Sequence, residues 1–232
     1  NFLIMATRHK SVSAMVAHVS AAVMYSQAAE GAVVDHLPRV VGFDLAGQEE
    51  NHDPALYTDL FLPLHHHFIN ITIHAGEMEQ DDKIWQALYL LHAKRIGHGL
   101  KLINNEKMMG YVRDYGIGIE LCPSSNVQTN DFCRYGDGES TGQEYPLKAY
   151  FDRGINVTVN TDNLGISQTT LSKELYLAGQ LTDGGLSRWE ILQLCKNALK
   201  SVFLPKDEKD QLLKAADKAV YELILDDYFT SY

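Results

Sequence analysis

An α/β fold of the TIM-type (β/α)8 barrel class, incomplete in this chain, is predicted by three features of the sequence. Short apolar, β-branched runs recur, each followed by a polar cluster and then by a stretch whose apolar residues return every three or four positions. Polar and ionisable residues gather at the C-terminal ends of those runs, the ends that converge on one mouth in a barrel. Beyond Asn160 the alternation stops and only helical periodicity continues. An open sheet would confine its site to a switch point and leave several of these strand-end residues without a role.

The elements follow in chain order. Phe2–Thr7 is an apolar run closed by Arg8-His9, and Val12–Ala29 after it has helical spacing. Val40–Leu45 is the second strand, containing Asp44 near its end, and Ala55–His67 the helix behind it. Ile69–His74 leads into the Lys83–Ala93 helix, and Arg95–Gly97 into Asn105–Tyr115. Gly116–Leu121 is a strand stopped by Pro123 and followed by the donors Ser124, Ser125 and Asn126, read as loop bracing. The long stretch Asp131–Tyr145, with Gly136, Gly138 and Gly142, is a loop, either a flexible insertion near the site or a surface excursion. Leu147–Asp152 is a short helix before the last strand, Ile155–Asn160. Thr170–Gln180, Arg188–Ser201 and Lys206–Leu225 are the extra C-terminal helices, the second opened by the capping box Ser187-Arg188-Trp189-Glu190 and the third by Pro205. Closure wants eight strands and six are counted. The expectation is therefore one partial barrel domain over residues 1–232, covering strands 3 to 8, with two βα units missing from its front.

Composition bounds the function. The 232 residues are 45% hydrophobic, enough for a sizeable core, and 20 Lys plus Arg against 30 Asp plus Glu leave a net charge of −10. Such a field repels phosphate backbones and anionic lipid surfaces, so neither a nucleic-acid polymer nor a membrane is an expected partner. Met15–Ala29, the longest apolar stretch, is interrupted by His18, Ser20, Ser26 and Gln27 and is too short to span a bilayer. Three cysteines, Cys122, Cys133 and Cys195, form no C-x-x-C pair, which fits reduced thiols and a cytoplasmic location. Oligomeric state leaves no mark in the sequence.

Chemistry concentrates at the strand ends. In Ile71-Thr72-Ile73-His74-Ala75-Gly76-Glu77 the strand delivers an imidazole, and the small turn lets a carboxylate curl back toward the same mouth. That pairs a metal ligand with a proton donor or acceptor. Alone, it also suits a strand-end His held by a backbone carbonyl beside a solvated Glu. Arg95-Ile96-Gly97-His98-Gly99 sets a second His between glycines, so that nothing crowds the ring. Val157-Thr158-Val159-Asn160-Thr161-Asp162-Asn163 ends a strand in a carboxylate that is costly to bury unless a cation compensates, or that caps a helix. Phe43-Asp44-Leu45-Ala46-Gly47 offers a backbone N–H to a ligand, or is only a turn.

Taken together, HAGE, RIGHG, ELCPSSNVQT and NTDN in that order, preceded by VVGFDLAGQE and the strand ending in ATRH, resemble the adenosine deaminase family of metal-dependent hydrolases. The resemblance spans the whole chain. It implies a (β/α)8 barrel holding one Zn2+ through an H-x-H pair on the first strand, the His of HAGE and the first Asp of NTDD. Here His74 and Asp162 would be ligands and the H-x-H pair is not present, so two expected ligands are absent from this chain. His65-His66-His67 has the spacing but falls near a helix end. The resemblance further implies that Glu77 protonates purine N1, that His98 and Asp162 flank the attacking water, and that the Gly47 N–H faces N3. Adenosine, and deoxyadenosine with it, would become inosine and ammonia. Asn163 stands where the family has a second Asp addressing N7, and an amide can donate there without a protonated carboxyl. Gln48 likewise replaces an acidic residue. The cytidine deaminase motifs H-x-E and P-C-x-x-C do not occur, and no strand-end Lys is placed for a bridged two-metal site. The competing expectation is a catalytically inactive, truncated relative serving in binding or assembly.

Overall fold

The computed structural model describes residues 1–28, 39–130, 132–134 and 144–230. Six strands form one parallel sheet in sequential order: β1 (Phe2–Thr7), β2 (Val40–Ala46), β3 (Asn70–Ala75), β4 (Arg95–His98), β5 (Gly118–Leu121) and β6 (Asn156–Val159). Helices α1 (Val12–Ala28), α2 (Thr58–His66), α3 (Asp82–Tyr89), α4 (Glu106–Asp114), α5 (Pro123–Asn130) and α6 (Leu147–Asp152) connect them. The short α7 (Leu164–Ser167) follows β6, and then α8 (Leu171–Gln180), α9 (Arg188–Ser201) and α10 (Lys206–Thr230). This is an incomplete α/β barrel with extra C-terminal helices. Among the described residues β1 and β6 each have a strand on one side only, whereas a closed barrel pairs every edge.

The parallel register explains how the sheet separates core from site. Ala6, Leu45, Ile73, Ile96, Ile119 and Val157 lie opposite one another across all six strands, and each is buried. Alternation then places a second row, His74, Gly97, Glu120 and Thr158, on the opposite face. The apolar row packs with Phe61, Leu64, Ile84, Val112, Leu147 and Leu194 of the surrounding helices in one continuous core. Each fully buried Ile or Leu contributes about 1.5–3 kcal/mol. The other face carries polar pairs: Glu120 accepts from Thr72 Oγ1 at 2.9 Å and pairs with Arg95 at 2.7 Å.

Several boundaries differ from the sequence expectation. The predicted 55–67 helix divides into a 3-10 turn, Pro54–Tyr57, and α2, which accommodates Pro63 in its interior. The 83–93 helix ends at Tyr89, because Leu91 and Ala93 turn their N–H groups back to Gln86 and Ala87 around His92 at φ 53°. Loop bracing after β5 is corrected to helix α5: Pro123 is its first residue, where a missing N–H is harmless. The Ser124 N–H is satisfied from outside by the buried Glu174 of α8 at 2.8 Å. The capping box at Ser187 and Glu190 is formed. Most of the 131–145 loop lies outside the described residues; at its ends Phe132 and Tyr145 pack edge to face, 5.1 Å apart. Among the described residues no helix is long and apolar enough to cross a membrane.

Candidate active site

A cavity of about 800 Å3 opens where the C-terminal ends of the strands meet. Gly47, His74, Glu77, His98, Asp162 and Asn163 all line it, although 116 positions separate the first from the last. The parallel order of the sheet brings them together, since every strand ends on the same rim.

His74 is the penultimate residue of β3. Its Nδ1 lies 3.3 Å from Oδ1 of Asp44 on the neighbouring strand β2. Burial pulls the imidazole pKa down, but the carboxylates of Asp44, Glu120 and Asp162 outweigh it and raise the value to about 9. His98 closes β4 in a left-handed conformation, φ 61°, and is 2% exposed. Its ring stands 5.0 Å from that of His74. Burial, reinforced by charge on His74, takes His98 down to about 3, so this ring is neutral.

The proton on His98 is fixed by its neighbours. The Asn126 side-chain oxygen accepts from the Cys122 N–H at 3.2 Å and from the Tyr145 hydroxyl at 3.0 Å. That orientation turns the Asn126 amide N–H toward His98 Nδ1, 3.0 Å away, and makes Nδ1 an acceptor. The ring proton therefore sits on Nε2, 3.6 Å from Oε2 of Glu77.

Glu77 leaves the sheet immediately after the Ala75-Gly76 turn. Its Oε1 accepts from the Thr129 hydroxyl at 3.0 Å. Burial pushes its pKa up, as do Glu49 and Asp162, against the lowering effect of the Thr129 bond and of His74. Asp162 follows β6 in a left-handed conformation, φ 50°, and its carboxylate accepts from Asn163 Nδ2 at 3.1 Å. The sequence argument that this carboxylate is buried is corrected: Asp162 is exposed at the cavity rim. Nor does it cap a helix. Asn163 precedes α7 instead, without a side-chain capping bond. Gly47 has φ +92°, and a Cβ there would lie 2.8 Å from His9 Nδ1. Gln48 lines the same cavity.

The donors suit a zinc-type cation in kind, being imidazoles and a carboxylate on one cavity wall. Cys122, not foreseen as part of the site, adds a thiol: ligand-type atoms of His98, Cys122 and Asp162 lie within 4.8 Å of one another, although His98 in the tautomer set by Asn126 has no free ring lone pair. His65, His66 and His67 end α2 and are not part of the cavity; His65 Nε2 lies 3.2 Å from the Leu91 carbonyl. Two further buried residues, Arg8 and Glu49, fall within the motifs ATRH and VVGFDLAGQE, but the sequence reading gave them no role.

Comparison with known proteins is concordant. A family model described as adenosine deaminase matches residues 4–219. The chain is 33% identical over 217 residues to an adenosine deaminase of Clostridium acetobutylicum, covering 94% of this chain and 59% of that protein. It thus spans about three-fifths of that relative's length. Among solved structures, an amidohydrolase from Burkholderia ambifaria with bound Zn superposes with a TM-score of 0.79 at 18% identity, over 99% of this chain and 58% of that one. An adenine deaminase from Arthrobacter aurescens gives 0.71 at 22% identity, over 94% and 62%. Both structures show the likeness of fold.

Proposed function

This chain belongs to the adenosine deaminase family, and on that premise we propose that the protein carrying it hydrolyses adenosine, and deoxyadenosine with it, to inosine-type nucleosides and ammonia. The observation that carries the reading is the convergence of His74, Glu77, His98 and Asp162 on one cavity of about 800 Å3. Residues 1–232 act in it as one partial barrel domain. His74 and Asp162 would help to hold a single zinc ion, whose Lewis acidity would lower the pKa of bound water toward neutrality.

The chain's own groups do the rest. Glu77, whose pKa burial raises, passes its proton to purine N1, which localises an imine-like bond and leaves C6 electrophilic. His98, with its Nε2 3.6 Å from Glu77 Oε2, anchors that side of the reacting centre. Asp162, open at the rim, accepts a proton as water adds to C6. The proton taken by Asp162 passes to the 6-amino group, the C6–N bond breaks and ammonia leaves, while the proton of the C6 hydroxyl returns to Glu77 and leaves the product carbonyl. Asn163 donates to N7, and the Gly47 N–H faces N3. Among the described residues no disulfide joins Cys122, Cys133 or Cys195, which suits a cytoplasmic setting.

A second reading is a non-catalytic relative that binds or assembles: among the described residues no H-x-H pair lines the cavity, and β1 and β6 each have one neighbouring strand. Zinc content and adenosine turnover of the intact gene product separate the two. Stoichiometric zinc with turnover that Glu77→Gln lowers about 10²–10⁴-fold while zinc is retained supports the deaminase. Neither metal nor turnover in the intact protein establishes the second reading.

A further inference from the structure

We propose that Glu49 is a positioning residue that aims Glu77 at the substrate by clasping the backbone of the turn that carries it. Its carboxylate is 5% exposed and accepts four consecutive backbone N–H groups. Oε1 takes Gly76 at 2.7 Å; Oε2 takes Glu77 at 3.1 Å, Met78 at 2.9 Å and Glu79 at 3.1 Å. From the other side Arg8, 2% exposed, donates to the carbonyl of His74 at 2.5 Å and to that of Leu45 at 3.2 Å. Opposite buried charges thus hold the two ends of the segment 74–79, and Glu49 is the foremost of the negative charges that stabilise the Arg8 guanidinium.

The chemistry explains why a carboxylate is needed. Four N–H groups emerging in succession from a strand end have no ladder or helix to satisfy them, and an ionised carboxylate is a pure acceptor with room for all four. An amide is not equivalent, because its NH2 would face donors. The clasp fixes four successive peptide planes, and with them the direction in which the Glu77 side chain leaves the backbone. Glu77 gains one further tether, at Thr129. A shift of about 1 Å in a reacting group costs on the order of 10²-fold in rate.

The inference rests on the reading of Glu77 as the proton donor to the purine, and its test separates the two. In the intact protein, Glu49→Gln, Glu49→Asp, Glu77→Gln and the double variant Glu49→Gln/Glu77→Gln are compared. Glu49→Gln is expected to lower kcat about 100-fold with KM changed less than about threefold. Amide exchange at residues 76–79 should accelerate while zinc content holds. Glu49→Asp, which keeps the charge, should recover part of kcat. The double variant should be no slower than Glu77→Gln alone, since there is no longer an acid to aim. Full activity in Glu49→Gln beside an inactive Glu77→Gln overturns the positioning role and leaves the reading of Glu77 intact. Full activity in Glu77→Gln overturns both. Should Glu49→Gln fail to fold, a Glu49→Asp loss of kcat without a fall in melting temperature upholds the proposal, and parallel losses in both reduce Glu49 to a structural role.

Discussion

Alanine at Gly76 and alanine at Gly110 should move stability in opposite directions. Gly76 turns the chain out of β3 at φ +67°, a left-handed conformation that costs an L residue about 1–2 kcal/mol. A Cβ there would meet Ile84 Cδ1 at 2.6 Å and Cγ1 at 2.8 Å. Ile84 is fully buried on α3, so relief requires repacking, which costs about 1–3 kcal/mol. The sum is roughly 2–5 kcal/mol of destabilisation. Gly110 lies inside α4, where an added Cβ meets nothing within 4 Å, and Ala there should stabilise by about 0.5–1 kcal/mol. Urea unfolding of the intact protein reads both: at a slope of about 3 kcal/mol/M, the Gly76→Ala midpoint falls by about 0.7–1.7 M and the Gly110→Ala midpoint rises slightly. Gly76→Ala should also lose turnover, because its N–H is one of the four held by Glu49. Equal midpoints for the parent and Gly76→Ala would refute the steric and conformational argument.

Further substitutions address the proposed ligand, the purine contact and the helix cap. His74→Ala should reduce zinc per chain to less than about half by elemental analysis, because it removes one of the four protein ligands that the family resemblance implies; unchanged metal removes His74 from the ligand set. Asn163→Asp should keep adenosine turnover or raise it, and a fall of tenfold or more shows that the amide N–H is required at N7. Glu190 is held down to about 2 by Lys148 first, and then by the Ser187 side chain and backbone. Because its folded pKa is depressed, its stabilising effect is complete above the ordinary carboxyl value and is lost as pH falls through about 2. Glu190→Gln should therefore lose about 1–2 kcal/mol at pH 7, and the difference should close toward pH 2. A difference independent of pH would remove the charge from the explanation.

The features legible in the sequence are those encoded locally. Short apolar, β-branched runs followed by polar clusters marked the six strands, and Phe2–Thr7, Leu147–Asp152 and Arg188–Ser201 were bounded to the residue. The Ser187–Glu190 box spans a single turn. The motif order around His74, Glu77, His98 and Asp162 carried the family and named residues that the structure assembles on one rim. Pro123 misled, since a proline that stops a strand can equally begin a helix, and only Glu174 of α8 shows which it does.

What tertiary structure alone decided are relations between residues far apart in the chain. The His98 tautomer depends on Asn126, 28 positions away, and the orientation of Asn126 depends in turn on Tyr145. Glu49 reaches Gly76 to Glu79 across 27 to 30 positions, and Arg8 reaches His74 across 66. Asp162 proves to be exposed just past β6, where the chain turns at φ 50°, a placement that no residue pattern announces. The periodicity of a chain specifies which face of each element is buried. Which side chains then share a cavity is set by the order and register in which the strands pair, and those contacts exist only once the sheet has formed.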